Sequence, residues 1–274
     1  MKLIPREKIT EICKGVQGEI AVYATVTETG EVFAYNELQQ FKAASTIKTP
    51  LLALLLHDGE TGRLDLNAKR RVAEENFATG SGILRSLSHD IEMSLFDLAV
   101  VMIVVSDNTA TNEIIDAVGM DRFNEMMQKL GFTSTSIGRK LCYKGGKPGE
   151  NLINAIDLGR MTDMAAREEL LSPYVSRTLL QIMAGQNLQK LTAPLHAVEH
   201  KDPHEPLPTP PEGKVVAATK SGTLEAPGIS HDSGAFFLPD GSSYTLTVLT
   251  KTGDLVAVKE VFSAISRTMY EAMK

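Results

Sequence analysis

The sequence predicts an α+β fold. One antiparallel sheet is assembled from both ends of the chain and flanked by terminal helices, with an all-α lobe inserted between the two groups of strands. Three observations carry this expectation. A strand pair is read near the N-terminus, and near the C-terminus the apolar pattern changes to period two. Between these regions apolar residues recur at helical spacing. A connector with five prolines, KDPHEPLPTPP at 201–211, then separates the helical block from the final strands. The expected division is a discontinuous sheet domain, 1–52 with 190–274, and an all-α domain, 53–189.

The elements follow in order. Residues 5–15 read as a short helix, and 19–27 and 31–36 as a strand pair turning at Gly30. FKAAST leads into IKTPLLALLL, a helix expected to begin near Ser45. Pro50 then falls in its first turns, where a missing N–H costs little. From about 60 to 190 the signals are helical. DLAVVMIVV (97–105) is apolar on all sides, as suits a helix buried in a lobe. TATNEIIDAV and MDRFNEMMQKLGF keep helical spacing, and Gly119 and Gly131 stand where helices stop. The stretch 138–150 is a Gly- and Lys-rich loop, after which INAIDLGRMTDMAAREELL is again helical. Beyond the connector, KVVAATKSG, ISHDSGAFFL and SSYTLTVLTK read as three strands, the last two joined by Pro239-Asp240-Gly241. Residues 254–273 form a terminal amphipathic helix.

Composition narrows the function classes. With 274 residues, 43% apolar and 23% charged, the chain can bury a core of its own. A net charge of -6, sparse aromatics and no Trp disfavour a nucleic-acid partner or a stacking platform for bases. Cys13 and Cys142 are too few for a disulfide framework or a zinc site and read as reduced, partly buried thiols. His196, His200 and His204 are spaced by four, but Pro203 interrupts any shared helix; they read as a solvated linker, and no metal or other cofactor is expected. No apolar run reaches the length of a membrane span, since the longest candidates stop at His57 and Ser106. MKLIPREKIT has no apolar core of a signal peptide. The expectation is a monomer, either cytoplasmic or a secreted mature form without its leader.

Three short elements carry chemistry. Ser45-Thr46-Ile47-Lys48 would put Ser45 and Lys48 on one face at a helix start. There the positive helix end and free backbone N–H groups can bind an oxyanion. A desolvated lysine near another cation can lose its proton and activate the serine. The same spacing also suits a capping serine followed by a surface lysine. Ser106-Asp107-Asn108 follows the all-apolar helix, which would deliver a polar loop into the interior, where uncompensated polar groups are costly. It could cap the next helix; alternatively Ser106 relays a proton to a leaving nitrogen and Asn108 orients Lys48 and substrate. At Lys220-Ser221-Gly222 a lysine and a hydroxyl could hold a substrate carboxylate, with Gly222 letting an extended substrate approach the strand. Lys251-Thr252-Gly253 fits the same pattern but reads as a turn entering the last helix. His231-Asp232, on the following strand, either faces the cleft or supports it.

Taken in this order, the three elements resemble the class A β-lactamases and their serine penicillin-recognising relatives. The resemblance spans nearly the whole chain: the strand pair before STIK, SGIL at 81–84, VSDNTATN at 105–112, and the last three strands and helix. It implies a β-lactamase-like fold and a serine hydrolase that forms an acyl-enzyme on Ser45 with β-lactams or related amides. In that scheme Lys48 is the base, Ser106 the proton relay and Asn108 a positioning group. Lys220 and Ser221 hold the carboxylate, and the backbone N–H groups of Ser45 and Thr223 form the oxyanion hole. A D-Ala-D-Ala peptidase, an esterase or a penicillin-binding sensor without efficient turnover are the alternatives. One departure stands out. The family hydrolyses its acyl-enzyme with a glutamate, and the matching position here is Leu141. Glu150, the only carboxylate in that loop, is the remaining candidate to activate water, although it comes late in the loop. Without such a base, deacylation slows by roughly 10²–10⁴.

Overall fold

A computed structural model describes residues 2–142, 149–187, 190–200 and 202–274. In chain order come helix α1 (Arg6–Lys14), strands β1 (Gly18–Val26), β2 (Glu31–Tyr35) and β3 (Phe41–Lys42), and helix α2 (Lys48–Glu60). Short strands β4 (Lys69–Arg71) and β5 (Glu92–Ser94) precede helices α3 (Leu95–Val104), α4 (Asn108–Val118) and α5 (Met120–Lys129). Strand β6 (Leu152–Ile153) and helices α6 (Ala155–Ala166) and α7 (Pro173–Ala184) follow, then strands β7 (Val216–Leu224), β8 (Ile229–Phe237) and β9 (Ser243–Thr252), and helix α8 (Ala257–Met273).

The main sheet has the order β2-β1-β9-β8-β7 and is antiparallel throughout. Its centre joins the two ends of the chain, with β1 pairing β9 from Gly18↔Thr252 to Val26↔Tyr244. Strand alternation sends side chains to two faces. Val22, Ala24, Leu246 and Val248 enter one apolar cluster with Ile9, Phe262, Ile265 and Met269 of α1 and α8. Ala21, Tyr23, Ala218, Ala235 and Leu249 point the other way, into the core shared with the helical block. The α+β architecture expected from the alternation is therefore the one observed.

Helix α2 runs through the middle of that block. Lys48 to Leu56 are all buried, and the side chains of Leu51, Leu52, Leu54, Leu55 and Leu56 are fully covered. Each contributes about 1.5–3 kcal/mol by leaving water. No helix among the described residues is long and apolar enough to cross a membrane.

Four expectations are corrected. The α-helix after FKAAST starts at Lys48, and Ala44–Ile47 form a separate 3₁₀ turn. Residues 61–94 are not helical; β4, β5 and two 3₁₀ turns occupy them, since Gly80 and Gly82 (φ +87° and +113°) adopt backbone angles that a helix excludes. Lys251 and Thr252 belong to β9, because that strand is paired on both sides, Lys251 with Glu19 and with Ile229. Cys142 is exposed, whereas Cys13 is buried and its thiol is pushed up to about 12 by desolvation.

Candidate active site

Ser45 lies in the 3₁₀ turn, held from below. Ala43 N–H donates to Asn151 O at 2.7 Å, and Thr46 Oγ1 donates to Ala43 O at 2.6 Å. No side chain caps this turn or α2, so the Ser45 hydroxyl is not spent as a helix cap. Ser45 is half-buried. Strand β7 passes beside it, and a Cβ on Gly222 would stand 2.8 Å from Ser45 N and 3.0 Å from Thr46 N. The space that Gly222 leaves is thus filled by the Ser45 turn itself.

Lys48, the first residue of α2, has no exposed surface. Its Nζ donates to Ser106 O at 2.7 Å and to Asn108 Oδ1 at 3.0 Å, and lies 3.0 Å from Ser106 Oγ. Desolvation, with the charge of Lys220 added, holds this amine well below the ordinary lysine range. A neutral amine has two N–H bonds, which the two carbonyl oxygens take. Its lone pair is then left for an O–H donor.

The local sequence explains the presentation of Ser106 and Asn108. Asp107 is the N-cap of α4, accepting from Ala110 N–H at 2.9 Å, and its other oxygen accepts from Ile83 and Leu84 N–H at 2.6 and 2.8 Å. The aspartate does the capping, and its two neighbours turn to Lys48. Ser106 takes a left-handed backbone (φ +56°), a conformation costing on the order of 1–3 kcal/mol for a non-glycine residue. The Lys48–Ser106 O bond and the Asp107 clamp hold it there.

Lys220 completes the cluster from β7. Its Nζ lies 3.3 Å from Ser106 Oγ and donates to Gln186 Oε1 at 3.0 Å and Ser221 O at 2.9 Å. Burial outweighs the nearby Asp232 carboxylate and lowers it to about 7. Gln186, just past α7, also accepts from Ser221 N–H at 2.7 Å and Ser221 Oγ at 3.2 Å. Thr223 is exposed at the strand end, its hydroxyl 2.9 Å from Lys190 Nζ. Neither Gln186 nor Lys190 sits in a recognisable motif.

His231 and Asp232 support the cleft from within. His231 Nδ1 lies 3.1 Å from Thr250 N and 2.9 Å from Ser230 O, and Nε2 lies 3.0 Å from Lys42 O; burial lowers this imidazole to about 4, so the ring is neutral. Asp232 accepts from Leu191 and Ser233 N–H, and burial raises its carboxyl to about 6.

The loop that should supply a water-activating group contains Leu141, clasped by Asn112 of α4. Asn112 Nδ2 donates to Leu141 O at 3.1 Å, and Leu141 N–H donates to Asn112 Oδ1 at 2.8 Å. Asn112 lies one helical turn beyond Asn108, on the same face. Glu150 is exposed and pairs with Lys42 at 2.7 Å and Arg139 at 3.7 Å, contacts that lower its pKa. The Lys251 ammonium pairs with Glu19 at 2.6 Å on the surface. His196 is exposed, His200 is buried and His204 stacks on Phe96. Among the described residues no three His, Cys, Asp or Glu side chains gather as metal ligands.

Comparison with known proteins was consistent at the levels of sequence and fold. Residues 4–273 match the family described as "Beta-lactamase enzyme family". Beta-lactamase PSE-4 of Pseudomonas aeruginosa is 30% identical over 125 residues, 45% of this chain and 43% of that protein. Beta-lactamase AER-1 of Aeromonas hydrophila is 29% identical over 181 residues, 59% of this chain and 60% of that protein. The chain thus matches less than half the length of PSE-4. Among solved structures, PBP-A aligns with TM-score 0.83 and 26% identity over 98% of this chain and 95% of that one. A leucine-to-glutamate mutant of PBP-A, an acyl-enzyme complex with penicillin G, aligns with TM-score 0.82 and 25% identity over 97% and 95%. An ancestral class A β-lactamase, 21% identical, shares the fold at TM-score 0.82 over 97% and 99% of the two chains.

Proposed function

Because the chain belongs to the Beta-lactamase enzyme family, we propose that it is a serine acyl-transfer enzyme in which Ser45 attacks the carbonyl of a β-lactam or related amide and the resulting ester is released slowly. The observation that carries this reading is the buried Lys48 amine, bonded to Ser106 and Asn108 and depressed in pKa by burial and by Lys220. Lys48 takes the Ser45 proton as Oγ forms its bond to the carbonyl carbon. As the carbon–nitrogen bond breaks, Ser106 gives its proton to the leaving nitrogen and is reprotonated from Lys48. Lys220 supplies the positive charge that holds Ser106 and attracts a substrate carboxylate, together with Ser221. The N–H groups of Ser45 and Thr223 receive the developing oxyanion.

Incubation with a labelled penicillin, followed by mass spectrometry, tests this. A single long-lived adduct on Ser45, absent from Ser45→Ala, is expected. No adduct, or one that survives Ser45→Ala, refutes it. Gly222→Ala is expected to slow adduct formation at least about tenfold, since overpacking of about 1–3 kcal/mol falls directly on the Ser45 turn. Adduct formation at the wild-type rate would argue against that packing role.

Leu141 favours a second reading within the same chemistry: a D-Ala-D-Ala peptidase or a penicillin-binding sensor, for which a fast water-activating base against β-lactam esters has no use. Rates with nitrocefin, p-nitrophenyl esters and D-Ala-D-Ala peptides, compared in one panel, separate these from a β-lactamase.

A further inference from the structure

The peptide unit joining Gly222 to Thr223 lies between two charged or reactive groups. Its carbonyl oxygen accepts from Lys190 Nζ at 2.7 Å, and the same ammonium reaches Thr223 Oγ1 at 2.9 Å and His231 O at 3.1 Å. Its N–H belongs to Thr223. In a trans peptide the C=O and N–H point in opposite directions, so this N–H points away from Lys190. Ser221 shows which way that is. β7 is the edge strand of the sheet, and the Ser221 N–H leaves that edge for Gln186 Oε1 at 2.7 Å. Backbone N–H groups two residues apart on a strand share a direction, so Thr223 N–H leaves the same edge, next to the turn where Gly222 packs on Ser45.

We propose that Lys190 is a positioning residue for the oxyanion hole: its ammonium, bonded to the Gly222 carbonyl, polarises the Gly222–Thr223 peptide and makes Thr223 N–H a stronger donor to the oxygen that becomes negative during acylation. This rests on the reading of Ser45 as the nucleophile. A cationic donor on a carbonyl draws electron density from the amide nitrogen, and linked hydrogen bonds polarise one another along the chain. The effect grows as the oxygen gains charge, so it falls on the acylation rate more than on substrate binding.

Lys190 is placed to hold its charge only conditionally. The groups facing it are Asp232 and neutral His231 on β8, Lys220 on β7, and the Phe262 ring of α8 at 5.8 Å. It also borders a cleft of about 490 Å³ shared with Glu225 and Lys259. Burial lowers its amine to about 8, with Asp232 opposing. Protonation, and with it the polarisation, is complete below that pH and lost above it.

The test compares wild type with Lys190→Met, Lys190→Gln and Lys190→Arg, each checked for folding by circular dichroism. The acylation rate constant with a chromogenic cephalosporin is expected to fall about tenfold in Lys190→Met with the dissociation constant little changed, a part of the roughly 10²–10³ that loss of a whole oxyanion donor costs. The ester carbonyl stretch of the acyl-enzyme should move to higher frequency. The wild-type advantage over Lys190→Met should fade as pH rises through about 8 and persist in Lys190→Arg. Equal acylation rates and an unmoved carbonyl stretch overturn the proposal. If Lys190→Met does not fold, Lys190→Gln, which still donates but without charge, carries the same comparison. The amide resonance of Thr223 in the free protein provides a readout independent of substrate. A shift in Lys190→Met without any Ser45 adduct in wild type would sink the nucleophile reading while leaving the polarised peptide standing. An unshifted resonance would sink the polarisation itself.

Discussion

Leu141→Glu is expected to shorten the life of a penicillin adduct on Ser45 by roughly 10²–10⁴, the range that a positioned general base supplies, while the rate of adduct formation stays nearly unchanged. The backbone at 141 is already fixed for such a role. Asn112 bonds both its N–H and its carbonyl, and Asn112 stands one turn beyond Asn108, whose Oδ1 holds Lys48. A glutamate there is expected to keep both backbone bonds to Asn112, because neither involves the Leu141 side chain. Leu141→Gln, of the same size but without basicity, should keep the long-lived adduct. The measurement is adduct decay by mass spectrometry after removal of free penicillin. Equal decay in the Glu and Gln variants would refute the assignment of this position. Glu150→Gln should leave decay unchanged, because the Lys42 and Arg139 contacts that depress its pKa also make it a poor base.

Asp107→Ala is expected to cost about 3–5 kcal/mol of stability, the low end for three buried donors at roughly 1–3 kcal/mol each. The Asp107 carboxylate accepts from Ala110, Ile83 and Leu84 N–H at 2.9, 2.6 and 2.8 Å and is almost fully buried. It therefore ties the start of α4 to residues 83–84, and alanine releases both. Asp107→Asn retains an acceptor and should lose less. Urea denaturation followed by circular dichroism checks the difference. A loss below about 1 kcal/mol would mean that water replaces the carboxylate at all three donors.

The strands were legible because short β-branched and aromatic runs are bounded by turn residues such as Gly30 and Pro239-Asp240-Gly241, and the sheet joins the two groups of strands. The three motifs were legible because each is a short run. Ser45-x-x-Lys48 crosses from a 3₁₀ turn into α2, Ser106-Asp107-Asn108 brackets an N-cap, and Lys220–Gly222 lies on one strand. Gln186, Lys190 and Asn112 were not legible. Each makes several contacts with backbone or buried groups about 30 or more residues away in sequence, which leave no local period; Asn112 closes the VSDNTATN run, but nothing in that run announces its grip on Leu141. The stretch 61–94 departs from the helical expectation, and Gly80 and Gly82 within it take positive φ, a requirement that the residue spacing does not reveal. In the loop after Ser-Asp-Asn, the motif position pointed to Leu141, and the structure adds the Asn112 clasp on its backbone, which the sequence did not announce.

The pairing of β1 with β9 has a consequence for the order of events during synthesis. Ser45 and Lys48 leave the ribosome early, but their neighbour Gly222 follows 177 residues later, and the central strand that anchors β8 and β7 to β1 ends only at Thr252. Until then the nascent chain has no strand at the centre of its sheet, and the loops closing that distance must be ordered together. On the proposed reading of Ser45 as the nucleophile, the serine is therefore expected to be chemically silent on an unfinished chain. Nucleophilic competence would then arrive at the same step as global folding, and labelling of Ser45 would serve as a direct clock for completion of the fold.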